Sequence, residues 1–388
     1  MNLWLAFFPA LFPLYLLRGT FSGIPTTAVE VLLGFSFLIF VLQALRSGAW
    51  KQWFVMGDPW RVWPVALFVG AAILSLLVRH DLTALGILKG WILAPILYFW
   101  MLRQVFYEKP SLISFALRSL LLGGTVLAGI ALFQEWQGTV LTPDGRASGP
   151  FESANYLALY LGPLVVYALF TFFESKEKQD KAFLAVAGVL CAAALFLTES
   201  YASFIAVAFA CMLGAYLKRD LWWSKRFWLA GAGALLFVGL LASQWGSPKL
   251  EQFLDFQGRS SSSVRIEVYQ TSLHLLKSHF LGGIGLGHYA EAYKEAAPVV
   301  LGKPPMEWVM IHPHNIVLAF WLNMGLLGFF AFAWLCVRAL KWLAEANGKE
   351  RRLAALMLVT LLVHGLFDTP YFKNDLAFQF WFLMAILL

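Results

Sequence analysis

Charge is what this 388-residue chain has least of: 13% of its residues are Asp, Glu, Lys or Arg, against 60% hydrophobic. A soluble domain is about 45–50% apolar and roughly a quarter charged, so too few charges are present to cover a water-facing surface of this size. With a mean hydropathy of +0.70 the chain belongs in a bilayer. Cysteine is scarce as well. Cys191, Cys211 and Cys336 all fall inside apolar runs, which leaves no disulfide framework and no zinc pattern. Apolar and polar residues do not alternate in stretches of about ten, which excludes a transmembrane β-barrel. A separate signal peptide is not expected either, because Leu3 to Leu17 has no basic segment before it and no small-residue cleavage site after it. That run reads as a retained first helix.

What is present is long apolar runs and aromatics: 35 Phe, 17 Trp and 12 Tyr suit the belts that form at membrane–water interfaces. At roughly 20 apolar residues per span, with shorter spans tolerated inside a bundle, the sequence predicts about twelve transmembrane helices in an all-α polytopic bundle. The runs are Leu3 to Leu17, Ala28 to Leu45, Val62 to Val78, Thr83 to Trp100, Leu112 to Phe133, Asn155 to Phe173, Ala182 to Leu197, Ala202 to Leu217, Phe227 to Ser243, Asn315 to Trp342, Leu353 to Phe367 and Leu376 to Leu388. The seventh and eighth meet at a polar tip, Thr198 to Tyr201, and the last is short enough to span only in part.

The net charge of +7 is explained by topology rather than by nucleic acid. With the N-terminus in the cytoplasm, basic residues collect on that side: Arg46, Lys51 and Arg61, Arg103 and Lys109, Lys176 to Lys181, Lys218 to Arg226, and Arg338 to Arg352. The short loops opposite carry Arg18, Arg79, Arg146 and Lys373, so the excess of positive charge inside favours this orientation. The chain then divides into residues 1–243 with nine helices, a long outer segment 244–313, and residues 314–388 with three more. Long segments of that kind are usually functional. Within this one, Ser263 to His279 reads as an amphipathic helix through Val264, Val268, Leu275 and Leu276, followed by a glycine-rich turn at Gly282, Gly283, Gly285 and Gly287. No internal repeat is visible, which weighs against a secondary transporter.

Ionisable groups at membrane depth need a partner or a task. The strongest cluster is His312-Pro313-His314-Asn315, where the long segment re-enters the bundle. Pro313 favours an extended His312, and extended residues two apart face one side, so both imidazoles can address one cavity; the alternative is a pair of interfacial caps on the tenth helix. Arg265, opening the amphipathic helix behind Ser261, Ser262 and Ser263, suits a bidentate grip on phosphate, or else contact with lipid headgroups. Arg146, in an outer loop, is a second candidate, or a solvated loop charge. His364 and Asp368 stand four apart and would share a helix face, where the carboxylate can orient a histidine base or close the bundle by a local bond. Lys89 lies near Glu30 in depth and forms an ion pair with it or faces an anion. Together the set fits a diphosphate-bearing lipid and a neutral base that deprotonates an alcohol. A metal on His312, His314 and Asp368 is the less favoured reading, since only two histidines have ligand-like spacing.

These residues resemble the O-antigen ligase and O-antigen polymerase superfamily. The resemblance rests on His312 to Asn315 followed by Leu318 and Gly325-Leu326-Leu327-Gly328, on Ser263-Val264-Arg265 leading to His279-Phe280-Leu281-Gly282-Gly283-Ile284-Gly285-Leu286-Gly287, and on Arg146 to Tyr156 with Asn155-Tyr156-Leu157-Ala158. It implies a GT-C-like bundle in the inner membrane with one long periplasmic loop containing helices and an active site facing the periplasm. It further implies transfer of a glycan from an undecaprenyl-diphosphate carrier to a lipid A core, glycan or protein hydroxyl, without metal, cofactor or nucleic acid. By the same resemblance His314, next to Asn315, is the base and Arg265 the diphosphate clamp, with Asp368 a further carry-over. His312 is the other candidate catalytic residue, and Arg146, Asn155, Lys89 and Asn315 are the other candidate binding residues. One departure stands out: Ser200-Tyr201 occurs where relatives commonly carry Ser-Arg. Ligation, polymerisation and protein glycosylation are not separated by these residues, and a lipid-linked oligosaccharide transporter is the more distant rival.

Overall fold

The computed structural model describes residues 1–21, 24–48, 59–79, 81–139, 142, 144–217, 223–247, 250–251, 260–345 and 348–388. Of the basic residues used for orientation, Lys51, Lys218 and Arg219 lie outside this set, as do 248–249 and 252–259 of the long segment. The described chain is an all-α bundle apart from one hairpin. Helix α1 (Asn2–Phe7) continues as a 3-10 segment, Phe8–Leu16, rather than as the regular helix the apolar run predicts. Pro9 opens that segment and Pro13 lies inside it, and proline removes an amide donor from the α-helical ladder. The hairpin, β1 (Arg18–Phe21) against β2 (Ile24–Thr27), was not evident from the sequence. It delivers the chain to α2 (Ala28–Ser47), which starts on a capping box: Thr27 accepts from the Glu30 amide, and Glu30 accepts from the Thr27 amide at 2.7 Å.

The helices that follow are α3 (Pro59–Ser75), α4 (Leu82–Glu108, with a π-helical stretch Leu88–Leu93), α5 (Leu112–Gln137), α6 (Ala154–Glu174), α7 (Lys178–Leu197), α8 (Tyr201–Leu217) and α9 (Trp223–Ser243). After them come α10 (Ser261–Ser278), α11 (Tyr289–Leu301), α12 (Ile316–Leu340), α13 (Lys349–His364) and α14 (Asn374–Leu387). Among the described residues six helices are long and apolar enough to cross a membrane: α2, α4, α5, α6, α7 and α12 with its 3-10 extension to Leu343. Shorter apolar helices, α14 among them, complete the bundle. The chain is a multi-pass membrane protein. Every residue of α14 from Asp375 to Leu387 is buried, so the helix that looked too short to span is an interior one. A helix apolar on all sides finds partners all round. Its Phe380 and Trp381 join Phe68, Phe320, Phe332 and Tyr371 in a cluster of edge-on and stacked rings.

The long segment holds two helices where the sequence suggested one. The apolar face of α10, with Val268, Leu275 and Leu276, packs on Tyr289, Tyr293 and Ala297 of α11 and on Leu322 of α12. Two contacts fasten the start of α11 to the turn before α4: the His288 ring meets Asp81 Oδ2 at 2.6 Å, and Arg79 pairs with Glu291 at 3.1 Å. Both glycine motifs find their reason where this layer meets α12. At Gly325 (φ 69°, ψ −175°) α12 leaves helical geometry, which frees the Leu326 amide to reach Leu281 O at 3.0 Å and Leu322 O to accept from the Ile284 amide at 2.7 Å. A Cβ on Gly325 would stand 2.3 Å from Leu281 O, and one on Gly283 would stand 2.4 Å from Leu322 O. Only glycine lets the two backbones touch at both points.

Candidate functional site

Four parts of the chain meet at one end of the bundle: the 144–156 loop, the α7–α8 tip, the first turns of α10, and the turn that follows α13. Two adjoining clefts of about 350 and 730 Å³ open there. They share Arg146, Asn155, Glu199, Ser261 and Arg265. The smaller is otherwise largely apolar, with Tyr201, Ala202, Ile205, Ile266 and Phe367 in its wall. The larger is lined about equally by polar and apolar surface, is the more polar of the two, and reaches Gln244, Glu307 and His314.

Arg265 is presented by α10, whose N-terminus is closed by Ser260 and Ser263 bonding each other's amides. Its Nε donates to Phe367 O at 3.2 Å, which holds the guanidinium beside both clefts. Arg146 is fixed from three sides: Nε to Asp144 at 2.6 Å, and Nη1 at 3.4 Å to both Asn155 Oδ1 and Thr198 O. Asn155 stands in the first turn of α6, capped by Ser153. Two arginines from distant parts of the sequence thus face the same space.

The histidines come together as expected, by a different backbone. His314 takes a left-handed conformation (φ 49°) rather than an extended one, and the two rings meet edge-on with centroids 4.4 Å apart. Glu199 (φ 48°) is the other non-glycine residue of positive φ among the described residues, and it too lines both clefts. Such strain costs roughly 1–3 kcal/mol and collects at working sites. Asn315 caps α12 by accepting from Val317 and Leu318, while its Nδ2 donates to Leu366 O at 3.0 Å. Tyr269 Oη donates to His314 O at 3.0 Å.

Asp368 does not share a helix face with His364, because α13 ends at His364 and the turn from Gly365 carries the carboxylate across to His314. Its Oδ1 lies 3.3 Å from His314 Nδ1 and accepts from the Thr369 amide at 2.8 Å. A carboxylate oxygen only accepts here, so His314 carries a proton on Nδ1, and Nε2 is the nitrogen turned away from the carboxylate. Burial opposes the charge on Asp368, but the hydrogen bond from His314 holds the carboxyl well below its usual range. Burial and neighbouring His314 push His312 down to about 4 against the pull of Asp368, so His312 is neutral. The ligand atoms of His312, His314 and Asp368 lie within 4.8 Å of one another, near enough to hold one metal ion, although a metal at Oδ1 would have to displace the bond to His314.

The structure therefore places Arg265, Arg146, Asn155 and His314 on one cleft, with His312, Asp368 and Asn315 directly behind. Lys89 is elsewhere, paired with Glu30 at 3.3 Å and turned to Pro25 O. Sequence reasoning did not single out Glu199, whose only signal was a charge inside the polar tip. It also passed over Tyr156, quoted for its neighbour, and Lys373, which counted as one more outer cation.

Residues 186–333 match the family model described as O-antigen ligase. Comparison with curated proteins finds no match. The matched stretch runs from α7 into α12 and contains Arg265, His312, His314 and Asn315. It supports the resemblance to the O-antigen ligase superfamily and an O-antigen-ligase-like glycan transfer.

Proposed function

We propose that the chain transfers a glycan from an undecaprenyl-diphosphate carrier to an acceptor hydroxyl at the periplasmic face of the inner membrane, with the N-terminus in the cytoplasm. The observation that carries this reading is His314, paired with Asp368 at 3.3 Å behind it, on the same cleft as Arg146 and Arg265. The apolar cleft suits the prenyl chain and the more polar one the sugars, with the diphosphate at the shared wall between the two arginines. His314 Nε2 takes the proton of the attacking hydroxyl as that oxygen bonds to the anomeric carbon. The bond to the carrier diphosphate breaks, and its growing charge is met by Arg265 and Arg146. Asp368 stabilises the imidazolium. A single displacement inverts the anomeric centre. No metal is needed in this scheme, because the arginines supply the charge and the carboxylate is engaged with His314.

The test is transfer by purified protein in detergent from a defined undecaprenyl-diphosphate glycan. His314→Ala is expected to bind donor and to lose transfer by at least about 10³-fold, on the scale of removing a general base. Wild-type rates from that variant, or loss of wild-type activity on adding a chelator, refute the scheme. Transfer without a membrane gradient also excludes a transporter, and trying lipid A core, glycan and peptide acceptors identifies ligation, polymerisation or protein glycosylation.

A further inference from the structure

Asp368 Oδ1 faces two imidazoles, 3.3 Å from His314 Nδ1 and 3.9 Å from His312 Nε2. Its two in-plane lone pairs are already committed to the Thr369 amide and to His314. If His312 carried its proton on Nε2, it would compete for the oxygen that orients the base. What occupies His312 Nε2 instead is the hydroxyl of Tyr156, at 3.4 Å and nearer than the carboxylate. Tyr156 is in turn held. Its ring is one wall of an aromatic box around the Lys373 ammonium, which lies 3.8 Å from the ring centre of Phe151, 4.2 Å from that of Tyr156 and 5.1 Å from that of Tyr15.

Lys373 is only 12% exposed, and among the described residues its charge rests on the rings and on Asp375 at 3.5 Å. A desolvated cation is attracted to an aromatic face, which holds the ring in place. Burial pushes this lysine down to about 8 against the pull of Asp375, which leaves it cationic at neutral pH.

Building on the reading of His314 as base, we propose that Tyr156, held by Lys373, is the positioning residue that assigns Asp368 to His314. Its O–H donates to His312 Nε2, which places the His312 proton on Nδ1 and turns a second would-be partner of the carboxylate into a neutral spectator. His314 is then the sole proton acceptor, with its lone pair held at Nε2 on the cleft side. Tyr156 touches no substrate in this role; it acts through His312.

A double-mutant cycle tests this. Tyr156→Phe keeps the ring in the Lys373 box, removes the donor, and is expected to lower kcat about tenfold, the scale of one competing hydrogen bond, with the donor KM within about twofold. In a His312→Leu background no competitor remains, so the same Tyr156→Phe change is expected to alter kcat less than about twofold. An equal tenfold loss in both backgrounds overturns the proposal, as does an inactive His312→Leu single variant, which would make His312 itself part of the chemistry. If Tyr156→Phe does not yield folded protein, 3-fluorotyrosine at position 156 keeps the ring and strengthens the donor. It is expected to match or exceed the wild-type kcat, and a tenfold loss overturns the assignment. An active His314→Ala would remove the base reading itself; an inactive one with an additive cycle would leave that reading standing and this one refuted.

Discussion

Replacing Asp368 separates two things the carboxylate does for His314. The Thr369 amide donates to Oδ1 at 2.8 Å, so in Asp368→Asn the amide oxygen, not the NH2, is selected for that position. His314 Nδ1–H therefore keeps an acceptor and its tautomer, and only the charge is lost. Across 3.3 Å at an effective dielectric of about 20, a full imidazolium–carboxylate attraction is ~5 kcal/mol. With the proton about half transferred in the transition state the loss is ~2.5 kcal/mol, or close to 10²-fold in kcat. Asp368→Ala also removes the acceptor and frees the ring to adopt the other tautomer, which adds roughly another tenfold. Initial rates over a range of donor concentrations, on protein that elutes as a single species, give both numbers. Both variants should leave the donor KM nearly unchanged, because Asp368 is 1% exposed and lines neither cleft. Asp368→Asn within threefold of wild type, or Asp368→Ala no slower than Asp368→Asn, refutes the division of labour drawn from the geometry.

Arg265→Lys tests the clamp: the guanidinium bonds Phe367 O through Nε and still offers its outer nitrogens to the cleft, which an ammonium cannot do at once, so the donor KM is expected to rise about tenfold or more while the fold is kept. An unchanged donor KM would remove Arg265 from the diphosphate site. Stability should also depend on pH through His312. Its pKa of about 4 in the folded protein lies below the ordinary 6.5, so the unfolded chain binds the proton more readily between those values and stability falls as pH drops through that window. The full effect is ~3 kcal/mol at pH 4. Thermal unfolding in detergent at pH 7 and pH 5 should show a drop for wild type that is smaller in His312→Leu, and equal drops would refute the assignment.

The bundle was legible because a bilayer leaves the backbone little choice but helix, so each apolar run marks an element. What escaped were the parts that length and polarity do not encode. The α11 helix mixes Lys294 and Glu295 with Val299 and carries Pro298, and it gains an inner face only by docking on α10. The site was legible where residue type alone narrows the chemistry, as with His314, Arg265 and Arg146. The partner of Asp368 was misread for a definite reason. Spacing of four pairs His364 with Asp368 only if the helix persists, and it stops at His364. Tyr156 and Lys373 gain their meaning from a ring box whose members lie as far apart in sequence as Tyr15 and Lys373.

The departure at Ser200-Tyr201 has a structural answer in the way the tip is built. Tyr201 does not face the arginines with a charge; its hydroxyl donates to Gln244 Oε1, and its ring contributes to the smaller, apolar cleft. The cation arrives from another direction. The Ala147 amide bonds Leu197 O at 3.1 Å, tying the 144–149 loop to the end of α7, and Arg146 lays its Nη1 on Thr198 O at the same tip. A loop arginine thus reaches the α7–α8 tip. The first turn of α8 presents Tyr201, Ala202 and Ile205 to the smaller cleft. The two arginines then mark a boundary, with an apolar cleft on one side and a more polar cleft on the other. Under the proposed glycan transfer, a donor with a hydrocarbon tail, a diphosphate and a sugar head would set its diphosphate at that boundary.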